Sequence, residues 1–313
     1  MSERRFDLLV AGELNPDVIV VSDDLEPEFG QVERLVDRGA LTVGGSGAIV
    51  ACGAARLGMR TAFVGVVGDD AQGSFMLDAL SRRGVDVGWC RTDRERPTGL
   101  TVILSRGDDR AMLTAPGTMA ALTADDVSAE MLAASDRLHV ASPYLQTGLL
   151  PGLAGVFSRA REAGATTSLD PGWDPSGRFG ASLDAALDHT DVFLPNAAEA
   201  TRLSGRDDPV AALAALADRI GTVAVKLGPE GAIARRGDET ARAAAPPVDA
   251  VEDTGAGDSF AAGFLRGGAS LEQTLRLAVT CGSLSTRALG GVDAQPDLDE
   301  ALGVARTPAM EAR

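Results

Sequence analysis

The sequence predicts an α/β fold in which helices cover both faces of a mostly parallel sheet. Short apolar runs alternate with amphipathic stretches along most of its 313 residues, a pattern typical of successive β-α-β units. Glycine ends several helical stretches, as at Gly58, Gly84 and Gly164, because a helix C-terminus favours it. Length alone suggests two domains, but single α/β domains of this size are common. We expect residues 1–313 to form one.

The predicted elements follow one another in chain order. The apolar runs indicate strands over 6–11, 61–66, 137–141, 166–169, 191–194 and 222–226, and the longer stretches indicate helices over 46–57, 71–83 and about 149–163. After Gly291 the tail is polar and contains proline, so we expect a short helix whose end frays toward Arg313.

Two segments interrupt this alternation. Residues 17–42 combine a β-branched run, 18–21, with a charged stretch. Residues 98–114 read as a hairpin with its turn at 107–109. We expect these segments to form a small separate sheet, a lid, from about residues 15–43 and 90–115. The sequence leaves open the alternative that the hairpin is an edge of the main sheet.

The run Gly255-Ala256-Gly257-Asp258 precedes small and apolar residues that predict a helix from Ser259 onward. The first amides of a helix have no intrahelical acceptor and lie at the positive end of its dipole. Glycines there let an anion approach the backbone. Because a carboxylate would compete with that anion, Asp258 fits a group that accepts a proton from an attacking hydroxyl. Taken alone, however, the run is better explained as a tight turn before a capped helix.

Motifs elsewhere in the chain favour the catalytic interpretation of this run over the tight turn. Residues 44–58 contain Gly-Gly-Ser-Gly-Ala and end in Ala-Ala-Arg-Leu-Gly, and shorter motifs lie at residues 12–17, 64–73, 116–117, 194–199 and 226–231. With these motifs, nearly the whole chain resembles the ribokinase-like (PfkB-type) carbohydrate kinase family, whose two signatures are similar to residues 44–58 and 251–260. The two signatures in this order are highly specific, whereas a short motif such as Asn196 to Glu199 is weak.

The resemblance implies a three-layer ribokinase-like fold with a mostly parallel central sheet and a small β lid. It implies an ATP-dependent phosphotransferase that acts on an alcohol group of a sugar or sugar acid, as ribokinase, fructokinase and 2-keto-3-deoxygluconate kinase do. Asp258 becomes the catalytic base, and the amides of Gly255, Ala256 and Gly257 stabilise the transferring phosphoryl group. Magnesium accompanies ATP, and some relatives bind an activating monovalent cation, which makes K⁺ a further candidate.

The resemblance also assigns the remaining site residues. The acceptor side comprises Asn15, Asp17, Gly44, Gly45, Ile49 and Tyr144. The nucleotide side comprises Asn196, Lys226, Gly228, Gly231 and Gly282, with Asn196 and Glu199 near magnesium. Ile49 stands where relatives usually carry Asn, and the segment 142–144 stands where a relative carries an acidic sugar contact. The acceptor therefore stays unidentified. Lid sheets often pair two subunits in this family, so we expect a homodimer through the lid.

Two other functions remain open. The same architecture serves nucleoside kinases, and Ile49 with Tyr144 suits a base or a less hydroxylated substrate. A non-catalytic sugar-binding regulator would have lost the base or its glycines, and neither is lost. No Gly-x-x-x-x-Gly-Lys-Ser/Thr motif is present, and no Gly-x-Gly-x-x-Gly follows the first strand, which argues against P-loop enzymes and dinucleotide dehydrogenases.

Composition narrows the partners. A formal charge of −16 repels nucleic acid and anionic membranes. The three cysteines are far apart and only two histidines occur, His139 and His189, so neither a zinc site nor a disulfide framework is expected and both histidines are expected to be structural. No apolar run approaches the ~18 residues of a membrane span. We expect a cytoplasmic protein without nucleic-acid or membrane partners.

Overall fold

The computed structural model describes residues 4–107, 109–180 and 182–306. The strands in these ranges are β1 Leu8–Ala11, β2 Asn15–Val21, β3 Arg38–Gly44, β4 Thr61–Val64, β5 Val66–Gly68, β6 Val85–Asp86, β7 Arg91–Asp93, β8 Leu100–Arg106, β9 Asp109–Ala115, β10 Arg137–Ala141, β11 Thr166–Asp170, β12 Val192–Phe193, β13 Thr222–Lys226, β14 Ala232–Arg236 and β15 Glu239–Ala243. The helices are α1 Ser46–Arg56, α2 Ala71–Arg82, α3 Ala129–Ala133, α4 Leu153–Glu162, α5 Asp184–Leu187, α6 Ala197–Ser204, α7 Pro209–Ala217, α8 Ala256–Arg266, α9 Leu271–Ser285 and α10 Leu298–Ala305.

The main sheet has nine strands in the order β15-β14-β13-β12-β11-β10-β1-β4-β6. All neighbours from β13 to β6 are parallel, and β14 and β15 add an antiparallel edge. Successive side chains of β1 point to opposite faces: Leu8 and Val10 join a core with α1, α8 and α9, whereas Leu9 packs with α4 on the other face. The predicted mostly parallel sheet between two helical layers is confirmed.

The lid is a separate sheet of four strands in the order β3-β2-β8-β9. The predicted hairpin pairs β8 with β9, and β8 joins β2 rather than an edge of the main sheet. The expected start near residue 90 is wrong, because β7 pairs with β5 in a two-stranded sheet of its own. In the turn expected at 107–109, Asp108 lies outside the described residues.

Three element boundaries differ from the predictions. The strand expected over 61–66 breaks at Gly65, where an added Cβ would lie 2.7 Å from the carbonyl oxygen of Gly12. The helix expected from about 149 begins with a 3₁₀ turn, so α4 starts at Leu153. The helix expected from Ser259 begins three residues earlier, which places Asp258 inside the first turn of α8. The predicted tail helix is α10, and the frayed end toward Arg313 lies outside the described residues.

The carboxyl ends of β1, β10, β11 and β13 meet at one edge of the main sheet, and ligands bind at this edge in open parallel sheets. The lid strand β2 follows β1 directly, so the lid rises over the same edge. None of the described helices is long and apolar enough to cross a membrane.

Candidate active site

The N-terminus of α8 lies at this edge and presents free backbone amides. Gly255 caps the helix with φ 75, and a Cβ there would lie 2.5 Å from Gly291 Cα, so only glycine fits. The amide of Ala256 donates to the Asp253 carbonyl at 3.2 Å. The next two amides, of Gly257 and Asp258, belong to the first turn and lack intrahelical acceptors. Because the Ala256 amide of the predicted trio is already bonded, the amides of Gly257 and Asp258 are the candidate anion cradle.

Lys226 ends β13 and places its ammonium beneath this cradle. A Cβ on Gly257 would lie 3.3 Å from Lys226 Nζ, which shows how closely the cation approaches the helix start. Nζ donates to Asp170 Oδ2 at 2.5 Å, with both side chains largely buried. Burial opposes the charge, but the carboxylates of Asp170 and Glu199 outweigh it and raise the pKa of Lys226. A fixed cation thus supports the amides at the place where phosphate is expected.

Asp258 is partly buried and faces the start of α1. Burial and the charge of Asp170 raise its pKa well above the ordinary value, against the opposing effect of Lys226. The Ser46 side chain lies beside the Asp258 carboxyl, where it opposes the rise of its pKa, and Ser142 Oγ donates to Ser46 Oγ at 3.0 Å. Ser142 has φ 48, a strained conformation for a residue with a side chain. Two serines from distant segments therefore orient the candidate base.

Glu13 lies beneath the same serine. Its carboxylate accepts from the Ser46 amide and from Gln146 Nε2, each at 2.9 Å. The side chain is buried, and this burial raises the pKa of Glu13 to about 7. Glu13 therefore fixes the start of α1, which carries Ser46 toward Asp258.

On the lid side, Asp17 and Asn15 point from β2 toward the cleft. Asp17 is 5% exposed, and burial together with the Glu252 charge raises its pKa to about 7. A Cβ on Gly44 would lie 2.0 Å from Asp17 Oδ1, so the carboxyl fits only because residue 44 is glycine. Gly45 has φ 80, and a Cβ there would meet Asn15 Oδ1 at 3.0 Å. That oxygen is buried without a partner among the described residues.

Arg110 joins the lid to the loop before α8. From β9 its guanidinium contacts the Asp253 carboxylate, donates to Thr254 Oγ1 at 3.3 Å and lies 3.7 Å from Glu252 Oε1. Glu252 also accepts from the Thr254 amide at 2.8 Å and from the Gly290 amide at 3.2 Å. The lid therefore reaches the segment that leads into the cradle.

For two predicted acceptor residues, Ile49 and Tyr144, the described contacts are with other protein residues. Ile49 is 2% exposed, and Cβ atoms added to Gly255 and Gly291 would meet its side chain at 3.1 and 2.7 Å. Its position is that of a packing residue beneath the cradle, and its contact with substrate stays a prediction. Tyr144 stacks edge-on against Phe179, its buried hydroxyl lacks a described partner, and burial raises its pKa to about 12.

Asn196 and Glu199 form the capping box of α6. Glu199 N–H donates to Asn196 Oδ1 at 2.9 Å, and Asn196 N–H donates to Glu199 Oε2 at 2.8 Å. Burial and the Asp170 charge raise the pKa of Glu199 to about 7. The described residues contain no cluster of three or more candidate metal ligands. The site therefore fits magnesium as it is usually bound together with a nucleotide, where one or two protein carboxylates, the phosphate oxygens and water are its ligands.

The three remaining glycines of the nucleotide side differ. Gly228 is exposed, with φ 60 and open space around the position of a Cβ. Gly231 is buried with φ 91, and a Cβ there would lie 2.0 Å from the Ala243 carbonyl oxygen. Gly282 is buried in α9, where a Cβ would lie 2.9 Å from the Ala256 carbonyl oxygen. Gly231 and Gly282 thus permit close backbone packing, and only Gly228 presents an open surface.

Sequence reasoning missed four residues of this site, which are Glu13, Ser46, Asp170 and Arg110. Asp170 carried a usable signal, because it ends a buried strand at the same edge as Lys226. Glu13 and Ser46 lie inside two of the recognised motifs, at residues 12–17 and 44–58, whereas Arg110 carried no recognisable signal. His139 is structural as expected: it is fully buried, its Nδ1 lies 2.9 Å from Ser168 Oγ, and burial lowers its pKa to about 4.

Comparison with known proteins gives consistent matches. The family model described as pfkB family carbohydrate kinase matches residues 5–298. A fructokinase of Klebsiella pneumoniae is 34% identical over 277 residues, which cover 82% of this chain and 90% of that protein. A 2-dehydro-3-deoxygluconokinase of Bacillus subtilis is 32% identical, covering 79% and 81%. The structure of Arabidopsis thaliana ribokinase complexed with ribose and ATP has a TM-score of 0.81 at 27% identity, covering 96% and 99%.

Proposed function

The chain belongs to the pfkB family of carbohydrate kinases, and on this premise we propose that Asp258 deprotonates a hydroxyl of a sugar or sugar acid that receives the phosphoryl group of ATP. Family membership confirms the fold and the enzyme class that the two signatures predict. The roles of individual residues are the proposal.

One observation supports a substrate with several hydroxyl groups. On the lid side of the cleft, buried oxygen atoms of the protein can accept hydrogen bonds that no described residue donates. Asn15 Oδ1 has no described partner, and Asp17 receives one hydrogen bond, from Asn15 Nδ2 at 3.1 Å. Buried polar atoms are nearly always paired in a functional state. Hydroxyl groups supply the missing donors, and a molecule with vicinal hydroxyls pairs with both oxygens of the Asp17 carboxylate.

Proton removal depends on how Asp258 is held. The Ser142–Ser46 pair orients its carboxyl, and Glu13 fixes the Ser46 backbone. Burial and the Asp170 charge raise the pKa of Asp258, which brings a carboxylate closer to the pKa that suits a general base near neutral pH. The deprotonated form accepts the acceptor's hydroxyl proton as the phosphoryl group arrives.

Phosphoryl transfer requires mainly positioning and charge stabilisation. The amides of Gly257 and Asp258, at the positive end of α8, donate to the transferring group. Lys226 adds a cation directly beneath Gly257. The exposed backbone at Gly228 suits contact with the nucleotide. These groups offset the negative field of a protein with a formal charge of −16.

Magnesium supplies charge neutralisation on the ATP phosphates when it is bound. Glu199, with Asn196 beside it, is the residue that would hold it, because one oxygen of its carboxylate caps α6 and the other has no bond to a described residue. For K⁺, the loop 252–254 near Gly290 is the candidate region, and activity measured with and without added K⁺ tests it.

The acceptor is tested by measuring ATP consumption with a panel that holds ribose, fructose, 2-keto-3-deoxygluconate and nucleosides. We expect turnover with a sugar or sugar acid, and a value of kcat/KM about tenfold lower with every nucleoside, because Asn15 and Asp17 bind the hydroxyls of either acceptor but offer no aromatic surface for the base of a nucleoside. Turnover that is highest with a nucleoside would replace the sugar assignment with the nucleoside kinase alternative.

A homodimer through the lid is supported by an apolar row across its four strands. Leu41, Val18, Val102 and Leu113 are successive register neighbours, and Leu41 and Leu113 are 56% and 63% exposed. Pairing two such rows would remove the apolar side chains from water. Light scattering is expected to give twice the chain mass of 32.1 kDa, and a Leu113→Glu variant is expected to be monomeric.

A further inference from the structure

A second cavity lies at the edge of the main sheet opposite the candidate active site. Its volume is about 300 Å³. Arg137 and Thr166 begin β10 and β11 at this edge, Thr222 begins β13, and Arg236 ends the antiparallel β14. The C-terminal end of α8 covers it. The cavity and the anion cradle are therefore at opposite ends of the same helix and at opposite edges of the sheet.

The two arginines of this cavity stand at its two ends. Strand order places Arg236 on β14 and Arg137 on β10, with β13, β12 and β11 between them. Four strand spacings separate their backbones by about 19 Å. Thr166, Ser168 and Thr222 line the floor between them, and the buried Ser168 hydroxyl is already bonded to the Leu138 carbonyl and to His139 Nδ1. The cavity thus has a cation at each end and hydrogen-bonding groups along its middle.

Neither guanidinium forms an ion pair or a hydrogen bond with any described residue. Arg137 does act at longer range on Asp7, whose pKa it helps to lower, but that carboxylate is bonded to Arg60 at 2.8 Å. Glu239, the register partner of Arg236, accepts from the Leu271 amide at 3.3 Å. Arg137 is half-buried and Arg236 is exposed, so both guanidinium groups remain accessible to a ligand.

Two helix ends of opposite partial charge lie beside the cavity. The C-terminal end of α8, which is negative, contributes Leu265 and Gly267, whereas Thr274 belongs to the first turns of α9, where the dipole is positive. Among the described residues that line the cavity, the charged side chains are those of Arg137 and Arg236, and both are cationic.

We propose that this cavity is a second ligand site, which binds an elongated molecule with an anionic group at each end and a hydroxylated chain between them. Sugar bisphosphates belong to this chemical class. Each guanidinium pairs with one anionic end, since its planar donors match phosphate oxygens. The hydroxyls of Thr166 and Thr222 contact the middle of the molecule. The site is separate from the acceptor pocket and from the nucleotide cradle.

Isothermal titration calorimetry with two probes tests the site. The first probe is fructose 1,6-bisphosphate, the second is fructose 6-phosphate, and a non-hydrolysable ATP analogue with magnesium saturates the nucleotide site in both titrations. We expect the bisphosphate to bind about tenfold more tightly than the monophosphate, because only the bisphosphate engages both cations. Equal affinity for the two probes, or no binding of the bisphosphate, would overturn the proposal.

Variants locate the binding. Arg137→Gln and Arg236→Gln are each expected to weaken bisphosphate binding about tenfold, to the level of the monophosphate. Arg82→Gln, the control, removes an exposed arginine at the end of α2 that does not line the cavity, and it is expected to change nothing. If one cavity variant fails to fold, the other carries the test alone.

A final variant separates this site from the acceptor pocket. Asp17→Asn is expected to leave bisphosphate affinity unchanged. Loss of bisphosphate binding in Asp17→Asn, with retention in the two arginine variants, would place the ligand in the acceptor pocket and refute the second site. Kinase turnover of Arg137→Gln and Arg236→Gln is expected to match the unmodified protein, so failure of this proposal and failure of the kinase assignment give different results.

Discussion

The donor and acceptor halves of the candidate active site are built in opposite ways. On the donor side, the main sheet and α8 supply backbone amides and a cation, and Lys226 already has its partner in Asp170. On the acceptor side, the lid supplies Asn15, whose Oδ1 lacks a donor among the described residues, and Asp17, whose carboxylate receives a single hydrogen bond, from Asn15. In the donor half the charge of Lys226 is paired without a ligand. In the acceptor half the missing hydrogen-bond donors would come from the hydroxyl groups of the substrate. The specificity of such a kinase therefore depends on the half whose hydrogen bonds the substrate completes.

The largest expected effect separates chemistry from binding. Asp258→Asn removes the proton acceptor but keeps the size of the side chain, so we expect kcat to fall by a factor of about 10²–10⁴ with little change in ATP affinity. Steady-state kinetics and calorimetric ATP titration measure the two quantities. The control Asp249→Asn changes an exposed carboxylate nearby and is expected to keep full turnover. Retention of most activity in Asp258→Asn would falsify the base assignment.

The next effect tests whether the donor half depends on its buried ion pair. Lys226→Met leaves the Asp170 carboxylate buried and unpaired, which is expected to cost about 3–5 kcal/mol of unfolding free energy and to raise the KM for ATP. Urea unfolding measures the first quantity. The double variant Asp170→Asn/Lys226→Met is expected to recover most of the stability but not the ATP affinity. Recovery of both would mean that Lys226 is only structural.

The pH dependence of stability is expected to link both halves. Burial raises the pKa of Glu13, Asp17 and Glu199 to about 7 each, whereas unfolded carboxyl groups titrate near pH ~4. The folded chain therefore binds protons more tightly. This contribution to stability is fully present below the unfolded pKa and is lost as pH rises through about 7.

We therefore expect the ligand-free protein to melt at a higher temperature at about pH 5 than at about pH 8. Glu13→Gln, which cannot ionise, is expected to reduce this difference by about 3 kcal/mol in unfolding free energy. Glu33→Gln, at an exposed position, is the control and is expected to leave the pH profile unchanged. Identical profiles for the Glu13 variant and the unmodified protein would show that Glu13 is ionised in the folded state.

A smaller effect is expected on the acceptor half alone. Asp17→Asn keeps the shape of the side chain but weakens its hydrogen bonds to substrate hydroxyls, so kcat/KM for the acceptor is expected to fall about 10- to 100-fold. The KM for ATP is expected to stay constant. A rise in both KM values would contradict the division into two independent halves.

The smallest expected effect concerns the contact that joins the halves. Arg110→Ala removes the partly exposed ion pairs with Glu252 and Asp253, and pairs of this kind contribute about 0.2–1 kcal/mol. We expect the KM for the acceptor to rise about two- to fivefold, measured against Arg106→Ala, which changes an exposed arginine on the same hairpin. Equal KM values for the two variants would show that the contact of Arg110 with the loop before α8 does not affect acceptor binding.

The fold and the donor half were largely predictable because their signals are local. The alternation of apolar runs marks the strands of the main sheet, and the glycine motifs mark places where a Cβ does not fit, as at Gly44 and Gly255. These properties depend on a few neighbouring residues, so a short stretch of sequence is enough to predict them. The break at Gly65 was not predicted, because it depends on a close approach to the backbone of Gly12. The early start of α8 was not predicted either, because its first turn contains residues 256–258, which the sequence placed before the helix.

The sequence by itself determined the α/β architecture and the class of chemistry, and it proposed the segment 255–258 as the catalytic one. Only the tertiary structure decided which side chains act together: Lys226 with Asp170 across 56 positions, Glu13 with Gln146 across 133, and Arg110 with Asp253 across 143. Such pairs follow no periodicity, since each partner is chosen by strand order and lid placement rather than by neighbours in the chain. In the acceptor half, Asn15 and Asp17 bond to each other on one strand, and the molecule that completes their hydrogen bonds was the part that the sequence left open.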